Sequence, residues 1–225
     1  MFLVDKPLGW TSFQVIKKLR QELKVKKLGH AGTLDPLATG LLIICTGKET
    51  KKIADYQGLD KVYTGDIVLG RTTPSFDRET AIDQEHSWQH ISQEDILAAA
   101  AKQVGEISQR PPIYSAIKKQ GKRAYLSARE GDKIILAPRL VEVKQFTITK
   151  VALPTVSFKI HCSKGVYIRA MARDLGEELG VGGYLHRLRR TDIGPYSVSN
   201  AADFDSFFPL NEAKIKDPAI AESEK

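Results

Sequence analysis

Residues 29–42 read GHAGTLDPLATGLL, a run that places one aspartate among three glycines, a histidine and a proline. Proline disfavours the helical region for the residue before it, so Pro36 holds Asp35 extended. Gly29, Gly32 and Gly40 permit turns or close backbone approach that a side chain would block. The segment therefore reads as a shaped, non-helical loop that presents a carboxylate, and Asp35 is where chemistry is expected. Glycine beside Asp-Pro is on its own more often an ordinary surface turn, so the expectation depends on what the rest of the chain brings to the loop. Metal and thiol chemistry have little support. His86 and His90 stand at i, i+4 with no further ligands beside them, and Cys45 and Cys162 lie 117 positions apart without CxxC spacing, as two reduced, buried thiols would.

The elements that must position this loop are legible from periodicity. Residues 11–24 carry Phe13, Ile16, Leu19 and Leu23 as one apolar stripe of a helix, with Thr11 and Gln14 at capping-box spacing. A second helix starts at Ser92, with Asp95 three residues on and Ile91 placed to staple against Ile96, and runs through the alanines toward Val104. Residues 155–163 alternate, so that Val156, Phe158, Ile160 and Cys162 share one face of a half-buried strand. Residues 61–69 form another, with Tyr63, Ile67 and Leu69 on one side. A third spans 141–151, where the apolar parity changes near Lys144 and Gln145 and predicts an irregularity. Helices and strands mix without a βαβ rhythm, so the fold class is α+β on a largely antiparallel sheet. No internal repeat or low-complexity tract interrupts it.

A chain of 225 residues can bury a real core and suits one domain. Its 34 lysines and arginines against 27 acids give a net charge of +7, which suits a polyanionic partner or a plainly solvated basic surface. The charges are clustered. Residues 17–27 hold Lys17, Lys18, Arg20, Lys24, Lys26 and Lys27 against Glu22. Residues 118–139 hold seven basic residues against Glu130 and Asp132, with Tyr114 and Tyr125 interleaved for stacking on bases. By themselves these are solvated faces more often than binding sites. No apolar run approaches membrane-spanning length and no signal segment opens the chain, so a cytoplasmic protein is expected.

The glycine-rich run closely resembles the catalytic motif GHxGTLDPxATGLL of the TruB family of tRNA pseudouridine synthases. The resemblance continues through FLVDKPLGWTS (2–12), DKVYTGDIVLG (60–70), RPPIYSAIKKQGKRAYLSAREG (110–131) and SKGVYIRAMARDLG (163–176), in the family's order. It implies the pseudouridine synthase fold, a mixed sheet with a central RNA-binding cleft, over residues 1–198. Residues 199–225 would be a short, partly frayed extension without the full PUA-type module that many relatives carry. It also implies isomerisation of the T-loop uridine at tRNA position 55, with base flipping and without a cofactor. The partner would be the T-arm of tRNA, with no membrane and no obligate protein partner.

Residue by residue, the resemblance makes Asp35 the catalytic carboxylate, acting on C1′, on C6 or on the 2′ proton. Arg169 is its partner, and Tyr63 stacks on the target base. A local argument supports Arg169: residues 167–179 are amphipathic, which puts this cation in the first turn of a helix, where the macrodipole disfavours it unless an anion is near. His30 would fill the space that the flipped base leaves. Asp77, Tyr114, Lys118, Lys164 and Tyr167 would lie along the substrate, Leu188 would line the uracil pocket, and Arg187, Arg189 and Arg190 would be available to phosphates. The reading from a different class is a tRNA-binding and remodelling protein that acts without catalysis, which the basic clusters alone would explain.

Overall fold

The computed structural model describes residues 1–115 and 136–207, together with the backbone of 118–119 and 122–123. In chain order the elements are β1 (Phe2–Lys6), α1 (Ser12–Glu22), β2 (Leu28–Ala31), β3 (Ala38–Thr46), α2 (Ile53–Gly58), β4 (Lys61–Leu69), β5 (Arg71–Thr72) and β6 (Gln84–Glu85). There follow α3 (Gln93–Ala101), β7 (Gly105–Gln109), β8 (Lys118–Lys119), β9 (Lys122–Arg123), β10 (Arg139–Ala152) and β11 (Thr155–Cys162). The last are α4 (Ile168–Glu178), β12 (Gly183–Ile193), β13 (Tyr196–Ser197) and β14 (Ala202–Asp203).

Among the described residues, ten strands make one sheet in the order β14-β1-β3-β12-β4-β11-β10-β7, with β2 paired to β3 and β13 to β12. Only the β1–β14 and β3–β12 pairs are parallel, so the sheet is largely antiparallel and the class is α+β, as expected. Two of the predicted strands have their predicted form. β4 spans Lys61–Leu69, and β11 buries Val156, Phe158, Ile160 and Cys162. In β10 the pairing with β11 slips between Val143 and Gln145, where the parity change in the sequence placed an irregularity.

The main core lies on one face of the central strands β4 and β11. α3 and α4 supply Ile96, Ala99, Met171, Ala172 and Leu175 to a cluster with Tyr63, Ile67, Phe158 and Ile160. β3 is covered on both faces, which is why its sequence LLIIC is continuously apolar rather than alternating. Leu42 and Ile44 meet Val15, Ile16 and Leu19 of α1, while Leu41, Ile43 and Cys45 face Ile53 and Tyr56 of α2.

Both predicted capping boxes are present, Thr11 with Gln14 and Ser92 with Asp95. The buried stripe of α1 differs from the predicted one. It consists of Ser12, Val15, Ile16 and Leu19, whereas Phe13 is 70% and Leu23 40% exposed. The reason is tertiary: Ser12 is turned inward because its hydroxyl bonds the backbone of Leu34, and that rotation carries Phe13 to the surface. α3 stops at Ala101, short of Val104. None of the described helices is long and apolar enough to cross a membrane. Tyr125, most of the second basic cluster and the end of the C-terminal extension lie outside the described residues.

Candidate active site

The hairpin of β2 and β3 carries the loop that holds Asp35. Each of its turns is tied down. The Leu34 N–H donates to Ser12 Oγ at 2.9 Å, and that hydroxyl lies 3.1 Å from Leu34 O. The Gly9 N–H donates to Pro36 O at 2.9 Å, and the Ala38 N–H closes a turn on Asp35 O at 3.1 Å. Arg190 Nη2 donates to Gly32 O at 3.1 Å. Gly40 is indispensable for a different reason: its φ is +106°, and a Cβ there would stand 2.2 Å from Arg190 O on the neighbouring strand.

Arg169 sits in the first turn of α4, and its side chain is only 5% exposed. Its Nη2 lies 3.0 Å from Asp35 Oδ2, its Nε 3.6 Å from Asp77 Oδ2, and its Nη1 donates to Ser75 O at 3.3 Å. Two carboxylates thus answer both the burial of this cation and its unfavourable place at a helix N-terminus. The two differ in access. The Asp77 side chain is 7% exposed and that of Asp35 is 43% exposed, so the ion group has a closed end and an open end. Burial pushes the Asp77 carboxyl above its ordinary value despite the pull of the Ser75 hydroxyl and of Arg169. Its Oδ1 accepts the Glu79 N–H at 2.8 Å.

The open end faces a cavity of about 310 Å³ lined by Asp35, Tyr63, Lys164, Tyr167, Arg169 and Leu188, with Lys61 and Arg190 in its wall. Tyr63 is buried, and burial raises its phenol against the opposing effect of the Arg190 guanidinium. Tyr167 caps α4, and the Gln109 side chain grips its peptide, accepting its N–H at 2.8 Å and donating to its carbonyl at 3.2 Å. Lys61 Nζ donates to Gln57 O at 2.7 Å and to Leu59 O. Lys6 Nζ donates to Pro7 O at 2.9 Å and Trp10 O at 2.6 Å. Burial lowers both ammonium groups to about 8, with Arg190 acting in the same direction on each.

The fold therefore brings Asp35, Tyr63, Lys164, Tyr167, Arg169 and Leu188 together, and joins Asp77 to them through Arg169. Other expected residues stand elsewhere. His30 pairs with Ile44 in the β2–β3 ladder, is half-buried, does not line the cavity, and has a buried Nδ1 without a hydrogen-bond partner among the described residues. Tyr114 is half-buried next to Ser115, which does line the cavity. Lys118 lies in β8, and its side chain is outside the described residues.

One of the three arginines expected to be available to phosphates needs correction, and the other two reach the surface but are ion-paired. Arg190 is 1% exposed and donates to Leu41 O and Gly32 O, so it is a buried structural cation. Arg189 is held by Asp5, with contacts of 3.0 and 2.5 Å. Arg187 is exposed but ion-paired with the buried Asp66. Strand alternation in LHRLRR could have found the first of these, since it puts Arg190 on the same inward face as Leu188. Lys61 likewise shares a strand face with Tyr63. Nothing local in the sequence marks Ser12 or Gln109, whose partners are 22 and 58 residues away. Among the described residues no cluster of three or more His, Cys, Asp or Glu could hold a metal, and His86 and His90 are no exception.

A family model described as the N-terminal domain of TruB family pseudouridylate synthases matches residues 20–168. A second, described as the tRNA pseudouridylate synthase B C-terminal domain, matches residues 169–215. A tRNA pseudouridine synthase B of Flavobacterium johnsoniae is 50% identical over 214 residues, covering 92% of this chain and 93% of that protein. The protein of the same name from Chloroherpeton thalassium is 49% identical over 204 residues, 88% of this chain and 85% of that one. Of solved structures, a chain of a Cbf5-Nop10-Gar1 complex matches with a TM-score of 0.71 and 25% identity over 96% of this chain. A chain of the archaeal box H/ACA sRNP Nop10-Cbf5 complex matches with a TM-score of 0.68 and 23% identity over 92%. This chain spans 56% and 51% of those two chains, about half their length.

Proposed function

The chain belongs to the TruB family of pseudouridylate synthases, and on that footing we propose that it converts uridine to pseudouridine in the T loop of tRNA, at position 55, with Asp35 as the reacting carboxylate and without a cofactor. The observation that carries this reading is the Asp35–Arg169 pair, 3.0 Å apart, on the open side of a cavity of about 310 Å³. A pocket of that size suits a single pyrimidine nucleoside.

The reaction breaks the N1–C1′ bond, turns the uracil and joins C5 to C1′; C5 loses a proton and N1 gains one. It is an isomerisation with no net oxidation or reduction, and a carboxylate can serve it. Asp35 acts as nucleophile on C1′ or C6, or as base toward the 2′ hydrogen. Arg169 pairs with that carboxylate through its Nη2, 3.0 Å from Asp35 Oδ2, and holds it at the cavity. Asp77, bound to Arg169 from the closed side, fixes the guanidinium rather than contacting RNA. Tyr63 and Leu188 form walls for the uracil, and Lys164 and Tyr167 line the entrance on the side of α4.

A uridine in a folded loop must be swung out to reach Asp35, at a cost of roughly a few kcal/mol. Phosphate contacts from the basic segment of residues 17–27 help to offset that cost. His30, half-buried on β2, reaches the RNA only through its outer edge, and Arg189 reaches it only by exchanging Asp5 for a phosphate.

The test uses T-arm RNA carrying tritium at uracil C5, because forming the C5–C1′ bond expels that atom. Wild type is expected to release tritium and Asp35→Asn to release none while still binding. Tight binding with no release by wild type would replace this reading by RNA remodelling without catalysis.

A further inference from the structure

Ser12 is 1% exposed and lies 22 residues from the loop it touches. It is the first residue of α1, a position whose hydroxyl could have served the helix, yet the capping is done by Thr11, whose Oγ1 accepts the Gln14 N–H at 3.0 Å. The Ser12 hydroxyl is thereby left for Leu34. It accepts the Leu34 N–H at 2.9 Å and donates to Leu34 O at 3.1 Å, so both peptide planes that flank Leu34 are fixed by one side chain. The second of those planes is the one that leads into Asp35. On the other side of Asp35, Pro36 has its ring-locked φ, and its carbonyl accepts the Gly9 N–H at 2.9 Å.

Asp35 is therefore strung between two anchors, both from residues 9–12. Its side chain is 43% exposed, and the contact with Arg169 holds a single carboxylate oxygen. That contact sets a distance and leaves the direction of the carboxylate to the backbone. We propose that Ser12 is a positioning residue for the reaction: its two hydrogen bonds to Leu34 set the direction in which the Asp35 carboxylate enters the cavity. The proposal rests on the reading of Asp35 as the reacting carboxylate. Its physical basis is that a near-attack geometry misplaced by about 1 Å can cost on the order of a hundredfold in rate. A hydroxyl that merely satisfied two buried backbone groups would contribute to stability alone.

The experiment measures single-turnover tritium release at saturating enzyme, and RNA affinity by filter binding, for wild type, Ser12→Ala and Ser12→Cys. All are assayed at a temperature where circular dichroism shows each fully folded. Ser12→Ala is expected to lose at least tenfold in single-turnover rate with affinity within twofold of wild type. Ser12→Cys, whose thiol is a weak donor and acceptor, should fall between the two. If Ser12→Ala does not fold, the cysteine variant decides, with a loss of threefold or more expected.

A folded variant with a lower melting temperature and an unchanged rate overturns the proposal, as does a loss confined to affinity. The two readings fail separately. Tritium release that persists in Asp35→Asn removes the reading of Asp35 and the proposal with it, whereas release that depends on Asp35 and ignores Ser12 removes the proposal alone.

Discussion

At the scale of single residues, the site joins buried charges, Arg169 and Asp77, to a carboxylate that reaches solvent, Asp35, and the fold must reconcile them. Arg169 is the clearest case. Replacing it by methionine leaves Asp77 buried without its cation, and losing one partner of a buried ion group typically costs about 3 to 5 kcal/mol. Arg169→Met is expected to lose that much in urea denaturation and at least about a hundredfold in rate; a variant as stable as wild type would remove Arg169 from its role as the centre of the ion group. Lys6 and Lys61 give a pH signature. Each titrates near 8 in the folded chain against an ordinary 10.5. Between those values the unfolded chain binds more protons than the folded one, so stability rises with pH, by up to about 1.4 kcal/mol per unit for each lysine. Cys162, pushed by burial to about 12 from 9.0, acts in the opposite direction above pH 9. The window is therefore pH 8 to 9. There the urea midpoint of wild type should climb and that of Lys61→Met should climb about half as steeply, while a midpoint that falls for wild type would contradict the assignment.

Elements act on the site through close backbone approach and through the faces they bury. The parallel contact between β3 and β12 exists because Gly40 has no side chain where Arg190 O comes near. Gly40→Ala combines a clash with backbone and a positive φ, so a loss of at least about 2 kcal/mol is expected from urea denaturation; a loss below about 0.5 kcal/mol would mean that β12 can move aside freely. Local signals were reliable for elements whose ends and faces are set locally. The capping boxes at Thr11 and Ser92, the alternation of β11 and the parity change at Lys144 are short-range patterns, and each has its structural counterpart. The stripe of α1 was misread because periodicity weighs Phe13 by its hydrophobicity, while the fold weighs Ser12 by two hydrogen bonds to a loop 22 residues away. Arg190 was misread for a related reason. In sequence it is a cation, and in the sheet it answers two backbone carbonyls.

At the scale of the whole molecule, the proposed substrate is a folded RNA loop, which proteins read by shape, stacking and backbone contact more than by sequence. A minimal T-arm hairpin is therefore expected to be modified nearly as well as full tRNA. Comparing kcat/KM for both checks this, and a deficit beyond a hundredfold for the hairpin would show that recognition needs the rest of the tRNA. The sequence by itself determined the α+β class, the family, and the identity of Asp35 and Arg169 as residues to be brought together, because these are written in contiguous motifs and short periods. Only the tertiary structure decided that Asp77 is buried against Arg169, that Arg190 is interior, and that Ser12 and Gly9 hold the loop that presents Asp35. The physical reason is that a buried charge or an unpaired backbone group must find its partner in space. That partner stands across a sheet or at the end of a distant helix, at a separation in sequence that no local pattern encodes.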